Sequence, residues 1–308
     1  MKKYIQGAAC AALAALSFAL QPAAARAESS VCARTTAAAL AGCHLQAASD
    51  FKFALGACAN FRSTTDRHKC RTRAGKDKKE ALSDCEEQAK ERKHVCSQVG
   101  KAAYDPVINP AEFSTTINNP LLPMKPGSKY VYQNLSENAE VTITVTNNTI
   151  TLAGVTCIVV HDVNKVDGEI EEDTLDYYAQ HTDGSVWYFG EDTISYDNGV
   201  ASTEGSWRAG LDGAKPGIVM LGTQPLGKTY RQEFLLGEAE DVARTVAINQ
   251  HVEVPFGIFN NAFVTRDYTP IEPGKFEKKF YVPTVGMVLA HNPDTGEREE
   301  LVSYTPGP

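Results

Sequence analysis

The sequence predicts an α+β protein in two parts. A disulfide-stapled antiparallel helical hairpin comes first. A mainly antiparallel β meander follows, as a curved sheet or a barrel. Three observations carry this. Six cysteines between Cys32 and Cys96 are spaced 11, 15, 12, 15 and 11 residues apart, the same in both directions. From Lys129 onward apolar residues alternate with period two. Between the two parts, residues 101–118 contain Pro106, Pro110 and several Asn, and read as a linker.

The chain begins with a segment to be set aside. Lys2 and Lys3 give a charged start, Ala8 to Leu20 is apolar, and Ala25-Arg26-Ala27 ends it with small residues where signal peptidase reads. Residues 1–27 are therefore expected to be a signal peptide. No apolar run reaches the ~20 residues of a membrane-spanning helix, so a transmembrane anchor is not expected. The mature chain should be periplasmic or secreted, where cysteines oxidise.

Residues 28–100 form the six-cysteine part. Each outside-in pair of cysteine positions sums to 128. Two antiparallel elements folding about residue 64 give that constant. Segments 32–61 and 67–99 are rich in Ala, Leu, Lys, Glu, Gln and Arg, which favour helix. At about 100° per residue, steps of 11 and 15 return close to one helix face. Ser63-Thr64-Thr65-Asp66 supplies turn and N-cap chemistry, and Gly100 suits a helix end. Six cysteines allow 15 pairings. Helix geometry favours the nested one: Cys32–Cys96, Cys43–Cys85 and Cys58–Cys70. A metal site is the rival, but no C-x-x-C occurs, and His44, His68 and His94 lack ligand spacing. Two helices bury little apolar surface, so covalent staples are physically expected.

Charge is divided between the parts. The 308 residues hold 30 Lys and Arg against 38 Asp and Glu, a net charge of -8. The segment 28–100 has 13 basic and 9 acidic residues, a net of +4. The signal segment holds +3, which leaves -15 for 101–308. The basic residues crowd the hairpin tip: Arg62, Arg67, Lys69, Arg71, Arg73, Lys76, Lys78 and Lys79. Such a patch suits an anionic surface, lipid or polysaccharide; a solvated helix face is the plainer reading. Aromatics are absent from the stretch. That removes the stacking platform of a single-strand nucleic-acid binder. Opposite charges of this size permit at most a loose, salt-sensitive docking of hairpin on β-domain; the competing expectation is a basic tip left free for an external anionic partner.

Residues 119–308 read as an antiparallel β-domain. Val141, Ile143 and Val145 alternate with threonines, and Val155–Val160 is β-branched and apolar, as in a central strand. Asp167-Gly168 and Asp183-Gly184 mark turns. Short strand-like runs continue to Leu289 without long helical periods, which argues a meander closing on itself. Cys157, in the apolar run, reads as a buried unpaired thiol.

Catalytic signatures are sparse. Gly222 to Thr229 matches G-x-x-x-x-G-K-[ST], but the residues after it reach Gly237 too soon for the helix a phosphate loop requires. G-x-S-x-G and H-E-x-x-H are absent, and no cofactor is expected. The richest stretch runs from Tyr177 to Asp192, with Trp207 beyond it. Aromatics beside carboxylates suit a pocket for a small hydrophobic, cationic or sugar-like ligand; barrel filling is the structural alternative.

Cys96–Gly100 running to Tyr104-Asp105-Pro106, Asn119–Gly127, Val186–Asp192, Glu204–Trp207, Asp212–Gly217, Thr229–Glu233 and Ala239–Ala243 resemble a group of uncharacterised secreted bacterial proteins with a Cys-rich helical N-terminus. Val254–Phe259 and Tyr281–Val288 are loosely similar to lipocalin-like and half-barrel lipoprotein domains. The first resemblance implies an exported β-domain, the second a ligand-binding sheet. The matching motifs point to Trp187, Tyr188, Glu191, Asp192, Trp207, Tyr230, Arg231 and Glu233 as ligand-binding candidates. Arg231 is expected to pair with Glu233, or else to clamp a carboxylate or phosphate. The leading expectation is a non-catalytic exported binding or envelope-associated protein. An extracytoplasmic hydrolase of a polymer or ester and a structural envelope component are the alternatives.

Overall fold

The computed structural model describes residues 30–197 and 199–308. The expected signal segment lies outside the described residues. Helix α1 (Val31–Ala59) and helix α2 (Thr64–Val99) form the hairpin. Ser30 and Ser63 cap them, accepting from the Ala33 and Asp66 amides at 3.2 and 3.3 Å. Gly100 ends α2 with φ of 107°, a conformation that favours glycine. All three nested disulfides form, with Cα separations of 6.1, 5.8 and 5.6 Å from open end to tip.

Sixteen strands follow among the described residues. They are β1 (Phe113–Ser114), β2 (Lys129–Asn134), β3 (Ala139–Leu152), β4 (Val155–Val166), β5 (Glu169–His181), β6 (Val186–Asp197), β7 (Val200–Ser202), β8 (Trp207–Arg208), β9 (Lys215–Met220), β10 (Thr229–Arg231), β11 (Glu233–Phe234), β12 (Val242–Val254), β13 (Gly257–Tyr268), β14 (Phe276–Val282), β15 (Gly286–His291) and β16 (Arg298–Thr305). The path runs β10-β12-β13-β14-β15-β16-β2-β3-β4-β5-β6-β9-β11, each neighbour antiparallel. This is the expected meander, nearly closed into a barrel. Its two ends, β10 and β11, are one stretch of chain interrupted only by a bend at Gln232. The Gln232 amide donates to the Asp241 carbonyl at 2.8 Å.

Register sorts side chains by face, because residues directly opposite one another share a side. Val160, Asp176, Glu191 and Trp207 lie in one row across β4, β5, β6 and β8. Ile158, Tyr178 and Tyr188 lie in another. The barrel interior continues through Tyr130, Tyr132, Phe263, Tyr281 and Leu301 in one core cluster. A second cluster packs Cys157, Val159, Tyr177 and Phe189 with Ile108, Phe113 and Trp187. Cys157 is buried and unpaired, and burial pushes its thiol up to about 12. Gly222–Thr229 leads into strand β10 instead of a helix, so the phosphate-loop match has no helix terminus to work with.

Residues 101–118 run along the β-domain. The Tyr104 hydroxyl donates to the Pro216 carbonyl at 2.9 Å, Lys215 pairs with Asp105 at 2.7 Å, and β1 pairs with β5. The hairpin itself docks, but not through its basic tip and not by surface charge. Arg92 on α2 grips Glu240 with Nε and Nη2 at 2.9 and 2.7 Å, both side chains buried. Gln88 donates to the Ile271 carbonyl at 2.9 Å, and Arg244 to Gln98 Oε1 at 3.0 Å. The seam thus holds a desolvated ion pair, Arg92–Glu240, away from the basic tip. The hydrogen bonds and ion pairs to the β-domain begin at Gln88, so about 36 Å of α2 on the tip side carries none among the described residues.

Candidate functional site

A recess of roughly 180 Å³ opens into the barrel interior. The rings of Tyr130, Tyr132, Tyr178 and Tyr281 and the side chains of Met124, Ile143, Val160 and Met287 form its apolar wall. Asp162, Asp176, Gln232 and Lys279 supply its polar groups. The residues after the linker cap this end, with Leu121 and Met124 joining the core and the Tyr130 hydroxyl donating to the Pro123 carbonyl at 2.8 Å.

Carboxylates dominate the electrostatics. Burial pushes the Asp176 carboxyl up to about 6, partly offset by its bond from Tyr188. Burial, reinforced by Asp176, pushes Glu191 up to about 8. Burial also raises Asp162 well above the usual carboxylate range, with Asp176 and Glu299 adding to it. The one ammonium in the recess, on Lys279, is already engaged. It lies 3.6 Å from Asp267 and 3.9 Å from Glu277. Burial would lower its pKa, but these carboxylates raise it.

The structure brings five of the eight sequence-predicted residues together. The Tyr188 hydroxyl meets both Asp176 and Glu191, and the Tyr188 ring packs edge-on against Trp207 with centroids 5.3 Å apart. Glu233 is buried next to them. Burial raises its carboxyl, and Asp241 and Glu191 add to this. Tyr230 faces Asp267 and Tyr281 with its hydroxyl buried and unpartnered. These five surround the polar floor beneath the recess, although the recess itself is lined by other residues.

Trp187, Asp192 and Arg231 are elsewhere. Trp187 lies on the face opposite Tyr188, against Phe113 with centroids 5.9 Å apart, and donates to Ser185 at 3.0 Å. Asp192 pairs with Arg208 and accepts from the Tyr177 hydroxyl at 2.7 Å. The Arg208 bond holds its carboxyl below the usual range. Arg231 does not pair with Glu233. In a continuous strand residues two apart share a face, but the bend at Gln232 sends the two side chains to different surroundings. Arg231 lies over the Phe234 and Tyr104 rings at 4.7 and 5.6 Å instead.

Sequence reasoning missed Asp162, Asp176, Gln232, Lys279 and the tyrosines of β2 and β14, while Tyr178 lies in the aromatic stretch it singled out. A signal was present: Asp162 and Asp176 interrupt apolar periodicity on strands whose neighbours are core residues, which marks an inward-facing charge.

No protein-family model matches the chain, and no curated protein matches it. One solved structure shows a likeness: a protein from Parabacteroides distasonis provisionally described as a lipoprotein, 11% identical, with a TM-score of 0.32 over 60% of this chain and 98% of that one. A superposition this loose carries no argument about function.

Proposed function

We propose that this is an exported, non-catalytic binding protein whose barrel holds a small ligand with an apolar body and a cationic head. The observation that carries this reading is the recess itself. Four tyrosine rings form its wall, Asp162 and Asp176 stand at its polar end, and its one ammonium is already paired. Aromatic faces beside the Asp176 carboxylate favour an organic cation over a neutral sugar. Export is supported by three disulfides, which require an oxidising compartment. Calorimetric titration with phenethylammonium, against a methyl glycoside of similar size, tests it. Saturable amine binding, weakened at least about tenfold by Asp176→Asn, is expected. An unchanged affinity in that variant, or preference for the glycoside, overturns the cationic reading.

A hydrolase is the second reading, and one observation favours it. Asp176 and Glu191, held at about 6 and 8, share the Tyr188 hydroxyl, as an acid and base would at neutral pH. Turnover of aryl glycosides or esters that disappears in Glu191→Gln would establish it.

The same proposal extends to the hairpin. Phe53 and Phe61 are 78% and 48% exposed beside the basic tip. Apolar rings amid lysine and arginine suit an anionic lipid surface better than a polysaccharide. The full chain should sediment with phosphatidylglycerol vesicles at low salt, and not with phosphatidylcholine. Binding to an anionic polysaccharide with no vesicle binding would overturn it.

A further inference from the structure

The seam between hairpin and barrel holds two buried guanidinium groups and one carboxylate for them. Glu240 is bidentate to Arg92 and also accepts from the Gly237 amide at 2.9 Å. Arg231 is 8% exposed, and its Nε and Nη1 have no hydrogen-bond partner. The rings of Phe234 and Tyr104 cover its faces but offer no acceptor in its plane. A guanidinium does not shed its proton in proteins, so Arg231 leaves the seam with one uncompensated positive charge. A charge so buried needs a partner.

Beside Arg231 lies a second recess, about 350 Å³, separate from the one in the barrel. Thr35, Val99, Ala103, Lys215 and Phe234 line it together with Arg231. Lys215 is neutralised by Asp105. Asp105 also lines the recess, where Lys215 takes up its charge, so the charged group left without a hydrogen-bond partner at this wall is Arg231. We propose that this recess binds a small organic monocarboxylate with a short apolar tail, its carboxylate clamped by Arg231. A carboxylate would take Nη2 with one neighbouring donor, Nε or Nη1, in two parallel bonds, since Nε and Nη1 lie on different edges of the guanidinium. The charge count calls for a monoanion, and Val99, Ala103 and Phe234 favour a hydrocarbon tail over a bare phosphate. This site is independent of the barrel reading, since its ligand has the opposite charge and enters elsewhere.

The rival is water. A gap of about 10 Å³ bordered by Arg231, Arg92 and Glu240 is close to what one molecule needs. A water there could take up the free donors without any ligand.

Calorimetry and thermal-midpoint shifts on the full chain, with hexanoate, hexanol and inorganic phosphate as separate probes, decide between them. Saturable binding of one hexanoate per chain, with hexanol and phosphate at least about tenfold weaker, is expected. Arg231→Met should abolish the hexanoate response. Should that variant fold poorly, Ala103→Trp fills the recess from its exposed rim and leaves Arg231 in place. It too should lose hexanoate binding while its circular dichroism stays that of the wild type. No saturable hexanoate binding would favour the water. Equal binding of hexanol, tighter binding of phosphate, or hexanoate binding that survives Ala103→Trp would each overturn the proposal.

Discussion

The hydroxyl of Tyr188 lies 2.6 Å from Asp176 Oδ1 and 3.0 Å from Glu191 Oε2. A hydroxyl has one hydrogen, so it cannot donate to both carboxyls. Glu191, held at about 8, carries its own proton at neutral pH and donates back, while Tyr188 donates to Asp176. The result is a directed chain from Glu191 through Tyr188 to the carboxylate at the recess.

Tyr188→Phe breaks that chain. It should cost about 1–3 kcal/mol, the usual consequence of stranding a buried polar partner. It should also move the Asp176 carboxyl above about 6, since the tyrosine bond holds it down. Urea unfolding and a carbon-detected titration of Asp176 read the two effects.

Stability should fall as pH rises. Burial holds Asp176, Glu299 and Glu191 at about 6, 7 and 8, above the values of an unfolded chain. Between pH ~4 and ~8 the folded protein therefore binds more protons than the unfolded one, and each pH unit removes stability. The loss is at most about 1.4 kcal/mol per unit for each group. Asp192, lowered by Arg208, acts in the opposite sense but only at pH below ~4. The urea midpoint should drop from pH 5 to pH 8, and a midpoint that rises across this interval would contradict the assignment.

Removing one partner of the seam ion pair should be worse than removing both. Glu240→Met strands the Arg92 and Arg231 guanidiniums together in a buried site, at about 3–5 kcal/mol. The double variant Arg92→Met, Glu240→Met should recover the part owed to Arg92, with Arg231 still unpaired. Hydrogen exchange over Gln88–Gln98 should rise in the single variant and return toward wild type in the double.

Reducing the disulfides should separate the two parts. Among the described residues, the tip side of α2 makes no hydrogen bond or ion pair with the barrel before Gln88, so its order rests on the staples and helix propensity. The 222 nm helical signal should weaken on reduction while the β signal and tyrosine fluorescence persist. Simultaneous loss of both would mean that the hairpin holds the barrel.

How legible this was varies with the physics involved. The hairpin was readable to the disulfide, because cysteine positions must obey helix periodicity and a fold about residue 64. The meander was readable as period two, with turns at Asp167-Gly168 and Asp183-Gly184. The site was only half readable. Tyr188, Glu191, Trp207, Tyr230 and Glu233 surround the floor of the recess, but Trp187 and Asp192 do not, because neighbours along a strand face opposite sides. Arg231 and Glu233 looked like a pair two residues apart until the bend at Gln232 separated them. Lys279 and Asp162 come from strands distant in sequence, and only barrel closure brings them together.

That closure has one further consequence. Most barrels join their first and last strands by a ladder of hydrogen bonds that can part. Here the two ends of the sheet are successive pieces of one backbone, β10 and β11, pressed so close to Gly217 that a Cβ there would strike the Gln232 backbone. Unzipping at this point would require the chain itself to pull away from two neighbours at once. The sheet therefore offers no free border there for another molecule to add a strand.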